Sequence, residues 1–323
     1  MKRLSCALAL GLFALGLAGE ALGQSYPSKN VRIVVPFPAG GGVDTMARII
    51  GTKLSDRLGQ TVLVEHKPGA GGNIGADVVA KSPPDGYTVL LTVNGLSASP
   101  ALYRSLPFDP VKAFEPITQV AASQFVLVGS PKLEAKTLQD VIALARAKPG
   151  KLNYGSSGVG APLHMQAEMF KHGAGLDIAH IPYRGDAPML TALLAGDIDI
   201  GFMPVGTGVA QVQSGAVKGL AVTGRKRLKA LPDLPTLAES GVKGLEDGSW
   251  YGLFAPAGTP RDIVVRLQKE MAEVLKSPDV VQRISVTGNE PVGSTPDEFA
   301  AFFKADVAKF AKVVADAKIP KFD

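Results

Sequence analysis

An α/β fold built on parallel strands is predicted by three features of the sequence. Short apolar runs of the kind found in buried strands alternate with segments in which apolar residues recur every three or four positions, as on one helix face. Loops rich in glycine or small polar residues lie at the junctions. Repeated alternation of this kind is typical of parallel sheets with right-handed crossovers. The length of 323 residues suits one large domain or two modest ones.

The first strand and helix are the clearest of these units. Residues 31–35 form an apolar run that predicts a strand buried on both faces. A helical pattern follows, carried by Met46, Ile49, Ile50, Leu54 and Leu58, and Gly59 stands where a helix-ending glycine belongs. The loop 37–43 therefore joins the carboxyl end of a strand to the amino end of a helix. In open α/β sheets that junction binds ligands, and its backbone N–H groups attract anions.

The remaining elements continue the alternation. Further strands are predicted over residues 61–65, 87–93, 125–128, 152–154, 178–181, 198–203 and 220–223. Further helices are predicted over residues 74–81, 137–147, 190–194, 263–275 and 296–317, and over the stretch after Gly160. The Asn94-Gly95 pair predicts a turn. The phenylalanines of the last helix recur at helical spacing, which predicts a buried stripe rather than a ligand cage.

Residues 1–23 have the three parts of a secretory signal peptide. Lys2 and Arg3 form a positive start, residues 4–18 are apolar, and Ala21-Leu22-Gly23 offers small residues for cleavage. The apolar part is shorter than a membrane span of ~20 residues, so we expect a secreted protein that starts near residue 24. Cys6 is the only cysteine and precedes the apolar part. We therefore expect no lipid anchor, disulfide or thiolate metal site.

Charge and motif patterns argue against nucleic-acid binding and catalysis. The formal charge is +5 and aromatic residues make up 6% of the chain, with no basic stripe interleaved with aromatics. The cluster 225–227 is expected to be a solvated loop. The glycines of 69–75 miss the dinucleotide fingerprint by one residue, and the serines of 155–158 do not form a nucleophile elbow.

The four histidines offer no recognisable catalytic or metal-binding arrangement. His164, His172 and His180 are eight residues apart, which matches no metal-ligand spacing, and His66 is expected in a loop without a companion. His164 is expected to be a polar residue near the start of a helix rather than a base. No cofactor or metal is expected.

Six segments resemble the periplasmic solute-binding proteins of tripartite tricarboxylate transporters, often called Bug proteins. The segments run in the family's order through most of the chain: YPSKNVRIVVPFPAGGGVDTMAR, VEHKPGAGGNIGADVVAKSPPDGYTVLL, LNYGSSGVGAPLHMQAEMF, HIPYRGDAPMLTALLAGDIDI, GLAVTGRKRLKALPDLPTLAESG and WYGLFAPAGTP. The resemblance implies an α/β type II periplasmic binding protein fold, with two α/β lobes and a ligand cleft between them. By analogy, lobe one comprises residues 24–122 plus 252–323 and lobe two residues 123–251, with hinges near 121–125 and 250–254.

The resemblance also implies a function. It indicates a monomeric periplasmic receptor of a Gram-negative bacterium that binds a small organic carboxylate, including dicarboxylates, and delivers it to membrane permease subunits. Family members hold carboxylates with main-chain amides and ordered water, and no nucleic acid is expected as a partner. An orphan sensor that acts through a membrane signalling partner is the alternative. An enzyme on the same fold is disfavoured by the missing nucleophile, metal cluster and acid–base pair.

Strand-end loops and the resemblance together supply the candidate ligand-binding residues. They are Phe37, Ala39, Gly40, Gly41, Asp44, Asn94, Gly95, Ser156, Ser157, Gly160, His164, Tyr183, Gly185, Asp186 and Met203. These loops can converge on one crevice between two facing lobes. Backbone amides, rather than Arg184, are expected to hold the anion, and a β-carbon at Gly40 or Gly41 is expected either to cause strain or to fill the carboxylate's space.

Three polar residues, two of them candidates, need separate mention. Asp44 is expected to be the N-cap of its helix, and the resemblance also places it beside the ligand. Asp186 stands where relatives often carry a small residue, and an inward acid there would disfavour a polyanion such as citrate. His66 stands where relatives usually carry asparagine, and the sequence assigns it no role.

Overall fold

The computed structural model describes residues 26–183, 185–246, 248–316 and 318–321. The predicted signal peptide and Arg184 lie outside the described residues. Two sheets and ten helices make up the described part of the chain. The α/β class predicted from the alternating pattern is therefore confirmed.

The first sheet has six strands in the order β11-β4-β10-β3-β1-β2. They are β1 (Val31–Val35), β2 (Val62–His66), β3 (Thr88–Val93), β4 (Phe114–Ser123), β10 (Ser249–Pro256) and β11 (Asn289–Pro291). β1 pairs in parallel with β2 and β3, whereas β10 is antiparallel to both β3 and β4. The predicted parallel arrangement therefore holds for only part of this sheet, because two strands return from distant parts of the chain.

The second sheet has five strands in the order β7-β6-β8-β5-β9. They are β5 (Phe125–Gly129), β6 (Asn153–Ser156), β7 (Ala179–Pro182), β8 (Ile200–Pro204) and β9 (Lys218–Val222). β6 is parallel to β7 and β8, and β5 is antiparallel to β8 and β9. The parallel half carries the strand-end loops that face the first sheet.

Helices cover the sheets and connect their strands. In chain order they are α1 (Gly42–Leu58), α2 (Asn73–Ala80), α3 (Gly95–Leu102), α4 (Leu138–Ala147), α5 (Pro162–Ala174), α6 (Asp186–Ala195), α7 (Val205–Gln213), α8 (Arg261–Lys276), α9 (Pro278–Val286) and α10 (Pro296–Asp316). The turn predicted at Asn94-Gly95 is confirmed at Asn94 but not at Gly95, which begins α3. Its Gly95 and Pro100 disfavour a helix locally, but buried Leu96 and Leu102 supply tertiary packing that overrides this propensity.

The chain passes between the sheets at two adjacent points. Ser123 at the end of β4 pairs with Ser249 at the start of β10, and Phe125 already belongs to the second sheet. Gly248 has a φ of +55°, and a β-carbon there would lie 2.2 Å from the Ser123 carbonyl oxygen. Only glycine therefore fits where the two crossings touch. Strands up to Ser123 and from Ser249 onward lie in the first sheet, and the strands between them lie in the second.

The last helix, α10, contacts the cores beneath both sheets. Phe299 and Phe303 pack around Trp250 and Phe254 of the first sheet, so the predicted aromatic stripe is buried. Further along α10, Phe310 and Val314 join the core of the second sheet. The predicted lobe boundaries stay a prediction, and this helix does not keep to one side of them. Among the described helices, none is long and apolar enough to cross a membrane.

Candidate functional site

A cavity of about 760 Å³ lies between the facing strand ends of the two sheets. Four helices begin at its wall, since residues of the first turn or N-cap of α1, α5, α6 and α7 line it. The amino end of a helix carries N–H groups without intrahelical partners and a partial positive charge. The cavity is thus a place where several such ends converge.

Six of the predicted residues line this cavity: Phe37, Ala39, Gly41, Ser157, Gly185 and Asp186. The other candidates stand behind its wall or beside it. Met203 is a core residue of β8 with 1% exposure, and buried Asn94 accepts a hydrogen bond from Ser249 Oγ at 2.9 Å. Gly95 begins α3, and the Tyr183 N–H donates to the Ser156 carbonyl at 2.9 Å. Whether any of the candidate residues contacts a ligand therefore remains a prediction.

The first cavity loop, residues 37–41, is held by one buried carboxylate. Asp44 accepts a hydrogen bond from the Gly40 N–H at 2.8 Å, and its other oxygen lies 2.9 Å from His66 Nε2 and 3.0 Å from Arg48 Nε. The Gly40 amide, and then the Arg48 and His66 side chains, lower the Asp44 pKa to about 2 against the opposing effect of burial. The carboxylate therefore stays ionised and keeps the loop in place at any ordinary pH.

Two predictions about this loop are wrong. Asp44 is not the N-cap, because Gly41 occupies that position and Asp44 reaches back from the third helical residue. His66 does have a companion, because it ends β2 opposite Val35 and so lies beside Asp44.

Backbone geometry separates the two glycines of the first loop. Of the two effects expected from a β-carbon, strain does not arise at Gly41: its φ is −81°, and the nearest atom to an added β-carbon is the Pro38 oxygen at 3.6 Å. Gly40, with a φ of +85°, is the position that requires glycine. Whether a side chain at Gly41 would occupy ligand space remains a prediction.

The second cavity loop, residues 156–160, is held by two histidines. Ser156 Oγ lies 2.7 Å from His180 Nε2, and the Gly160 N–H donates to His164 Nδ1 at 3.0 Å. The two imidazole rings stack with their centroids 4.2 Å apart. Sequence spacing missed this pair because the two residues lie on different elements, α5 and β7. Burial lowers the pKa of both, and His180 helps to lower the pKa of His164 to about 4.

The third wall of the cavity comes from residues that the sequence did not single out. Tyr251, Thr287 and Asn289 line it from β10, the α9–β11 turn and the start of β11, respectively. The Asn289 side chain donates to Thr287 Oγ1 at 2.7 Å, and the Tyr251 hydroxyl also shares a hydrogen bond with Asn289. A β-carbon on Gly42 would lie 2.8 Å from the Tyr251 hydroxyl oxygen, so glycine allows this ring to approach the start of α1.

The described lining contains one charged side chain. It is Asp186, an exposed residue at the start of α6, and the other lining residues are apolar, uncharged polar or glycine. Within the described ranges, no group of three or more histidine, cysteine, aspartate or glutamate side chains could hold a metal ion. The arrangement suits recognition through backbone amides, hydroxyls and an amide side chain.

Comparison with known proteins identifies the family. A model of the tripartite tricarboxylate transporter family receptor matches residues 46–319. BugT of Bordetella pertussis is 34% identical over 320 residues, which cover 98% of each chain. A UPF0065 protein of Agrobacterium vitis, encoded in the TAR-I ttuE-ttuC' intergenic region, is 37% identical over 297 residues, covering 91% of this chain and 86% of that protein.

Solved structures agree with this assignment. R. palustris Rpa4515 with adipate has a TM-score of 0.80 at 36% identity and covers 92% of this chain and 100% of its own. MatC from Rhodopseudomonas palustris with bound malate has a TM-score of 0.77 at 30% identity, with 90% and 100% covered. The periplasmic binding protein BugD has a TM-score of 0.77 at 36% identity, with 92% and 100% covered. The predicted periplasmic binding fold is thereby confirmed, and the chain belongs to the tripartite tricarboxylate transporter receptors, a family of solute-binding proteins rather than enzymes.

Proposed function

We propose that this protein is a periplasmic receptor that captures a small organic carboxylate in the 760 Å³ cavity and delivers it to a tripartite tricarboxylate-type permease. The observation that carries the proposal is the convergence of four helix amino ends on a cavity whose described lining contains no cationic side chain. Such an array of N–H donors recognises an anion, and a carboxylate is one of the anions that helix amino ends bind.

The energy available from this arrangement fits reversible capture. Each helix amino end favours an anion by roughly 0.3–1 kcal/mol when exposed and by up to about 2 kcal/mol when partly buried. Additional hydrogen bonds to the charged group contribute about 1.5–3 kcal/mol each. After the cost of association is subtracted, the total of these contributions is compatible with the binding free energy of a micromolar complex, roughly −8 kcal/mol.

Two structural relatives suggest the class of ligand. Rpa4515 was solved with adipate and MatC with malate, which are both dicarboxylates. In this chain Asp186 adds a negative charge to the wall, so we propose a ligand with one or two carboxylates and an apolar or uncharged polar body. A tricarboxylate such as citrate is disfavoured.

Closure of the two lobes over the ligand belongs to the same proposal. The crossings at Ser123 and Gly248 lie side by side, which suits a hinge. The site residues drawn from facing loops would then approach the ligand from both sides. Delivery to a permease further requires that the closed form differ in shape from the open one.

A ligand screen with the purified protein tests the function. Thermal-shift measurements across monocarboxylates, dicarboxylates, tricarboxylates, aromatic acids and amino acids should give a raised midpoint for a small acid, because a ligand that binds only the folded state stabilises it. Small-angle scattering at saturation should then show a smaller radius of gyration, and mass spectrometry should recover the acid chemically unchanged. A screen without any stabilising acid, or a transformed acid, would contradict the proposal.

A further inference from the structure

The second cavity loop, residues 156–160, is held at both ends by side chains that touch each other. His180 contacts the Ser156 hydroxyl at one end, and His164 accepts from the Gly160 N–H at the other. The rings stack at 4.2 Å with an interplanar angle of 26°. Ser157, inside the loop, lines the cavity.

We propose that His164 and His180 are positioning residues that keep loop 156–160 in its binding shape, and that His164 does so only while its imidazole is uncharged. The inference rests on the proposed function, because the loop's shape matters for binding only if Ser157 faces a captured solute. Neither histidine lines the cavity, so both would act through the loop.

The chemistry of imidazole explains why charge matters here. Nδ1 of His164 can accept the Gly160 N–H only while it carries a lone pair, which places the proton of the neutral ring on Nε2. Protonation turns Nδ1 into a donor that faces another donor. A second charged ring stacked at 4.2 Å would add repulsion. Burial, the largest cause for both residues, keeps their pKa values low and the rings neutral near pH 7.

Other charged groups around the pair partly cancel one another. Tyr154 of β6 stacks on His180 at 4.7 Å, and its hydroxyl donates to the buried carboxylate of Glu168 at 2.5 Å. Lys171, also on α5, binds the same oxygen at 2.9 Å. Glu168 raises the pKa of both histidines and Lys171 lowers it. Because these two effects oppose each other, burial remains the largest cause of the lowered pKa of both histidines. Burial and Glu168 raise the Tyr154 pKa, which keeps its hydroxyl protonated.

Three variants separate positioning from packing. His164→Asn places an oxygen that cannot be protonated near the position of Nδ1, whereas His164→Leu removes the acceptor and keeps the bulk. His172→Leu is the matched control, because His172 lies on the same helix but is 50% exposed and pairs with Asp316 at 3.4 Å, away from the loop. The measurement is amide hydrogen exchange of Gly160 by nuclear magnetic resonance, without added solute and with correction for the intrinsic pH dependence of exchange.

Expected results are specific for each variant. At pH 7, His164→Leu should speed the exchange of the Gly160 amide by about tenfold or more, as loss of a buried acceptor predicts, while His164→Asn and His172→Leu stay within about threefold of wild type. Between pH 7 and pH 4 the protection of this amide should fall in wild type and stay level in His164→Asn. If the Asn and Leu variants speed exchange equally, or wild-type protection does not change with pH, the proposal is wrong.

Two features keep the test decisive. If His164→Leu does not fold, as judged by circular dichroism, the pH profiles of wild type and His164→Asn still decide the matter. Exchange is measured without solute, so a failed carboxylate screen would overturn the proposed function while leaving the exchange result intact. A normal screen with a flat exchange profile would overturn the positioning role alone.

Discussion

The two cavity loops are anchored by opposite chemistry. Asp44, an ionised carboxylate, holds the loop of residues 37–41 with help from His66 and Arg48. Two neutral imidazoles, His164 and His180, hold the loop of residues 156–160. One anchor needs a charge and the other needs its absence.

This difference divides the response of the site to acid. Hydrogen bonds favour the charged form of Asp44, and its pKa is lowered to about 2. Burial favours the neutral form of His164, and its pKa is lowered to about 4 from an ordinary 6.5. As the pH falls, the second loop should loosen before the first. We therefore expect the cavity to have one acid-resistant wall and one acid-sensitive wall.

The largest expected effect is the acid sensitivity contributed by His164. Because its folded pKa is lowered, its contribution to the free energy of unfolding is fully present above the unfolded value of 6.5 and is lost as the pH falls through about 4. The loss should reach on the order of 3 kcal/mol at pH 4. Urea denaturation at several pH values from 4 to 7 gives the free energy of unfolding of wild type and of His164→Asn. The extra loss in wild type between pH 7 and pH 4 measures the contribution of His164. Parallel pH profiles would remove the contrast between the loops.

Removal of the Asp44 carboxylate should have the next largest effect. Asp44→Ala leaves the Gly40 N–H without its acceptor and should lower the free energy of unfolding by about 2 kcal/mol at pH 7. Its folded pKa is also lowered, so this contribution persists down to the ordinary value of 3.8 and fades as the pH falls toward 2. Asp44→Asn should lose less, since an amide oxygen can still accept. Asp56→Ala, an exposed position on the same helix, is the control, and an equal loss there would argue against a special role for Asp44.

Both anchors show where sequence patterns stop. The strand and helix that flank each loop follow from local spacing, and so does the presence of glycines at their junction. The Asp44–His66 contact depends on strand pairing, which sets His66 opposite Val35. The stacked histidines meet because Tyr154 of β6 pairs with His180 of β7 while α5 packs back over them.

The third wall was beyond sequence analysis for a similar reason. Tyr251 and Asn289 approach each other because β10 and β11 both pair with β4 over separations of more than 100 residues in sequence. Local propensity does not specify such pairings. Gly95 and Pro100 disfavour a helix, so local propensity did not predict α3. The burial that stabilises α3 is visible only in the folded structure. The family resemblance, by contrast, predicted the overall fold because six long segments matched in order.

Two adjacent glycines of the first loop should separate stability from binding. Gly40→Ala should cost about 1–2 kcal/mol of stability, because its φ of +85° disfavours a side chain. Gly41→Val should change stability little, because the backbone conformation of Gly41 accepts a side chain and a β-carbon there meets no clash. It should weaken binding of the acid selected by the screen by about tenfold if its side chain occupies ligand space. Thermal denaturation and calorimetric titration of both variants measure the two effects. If Gly41→Val binds as wild type does, this part of the loop does not contact the ligand.

The smallest expected effect concerns Asp186, which gives the second side of the cavity its one charge among the described lining residues. Three acids with the same six-carbon chain, hexanoate, adipate and 6-aminohexanoate, end in a methyl, a carboxylate and an ammonium group, so the charge at the far end is zero, negative or positive. Asp186→Asn should strengthen binding of adipate and weaken binding of 6-aminohexanoate, relative to hexanoate, by less than about 1 kcal/mol each, because the residue is exposed and water screens it. Asp197→Asn makes the same charge change beyond the other end of α6 and should leave the ranking unchanged. The changes in binding free energy of adipate and of 6-aminohexanoate should both become smaller when salt is added. Calorimetric titration of the three acids against both variants decides the matter, and equal changes for all three would show that the Asp186 charge does not reach the ligand.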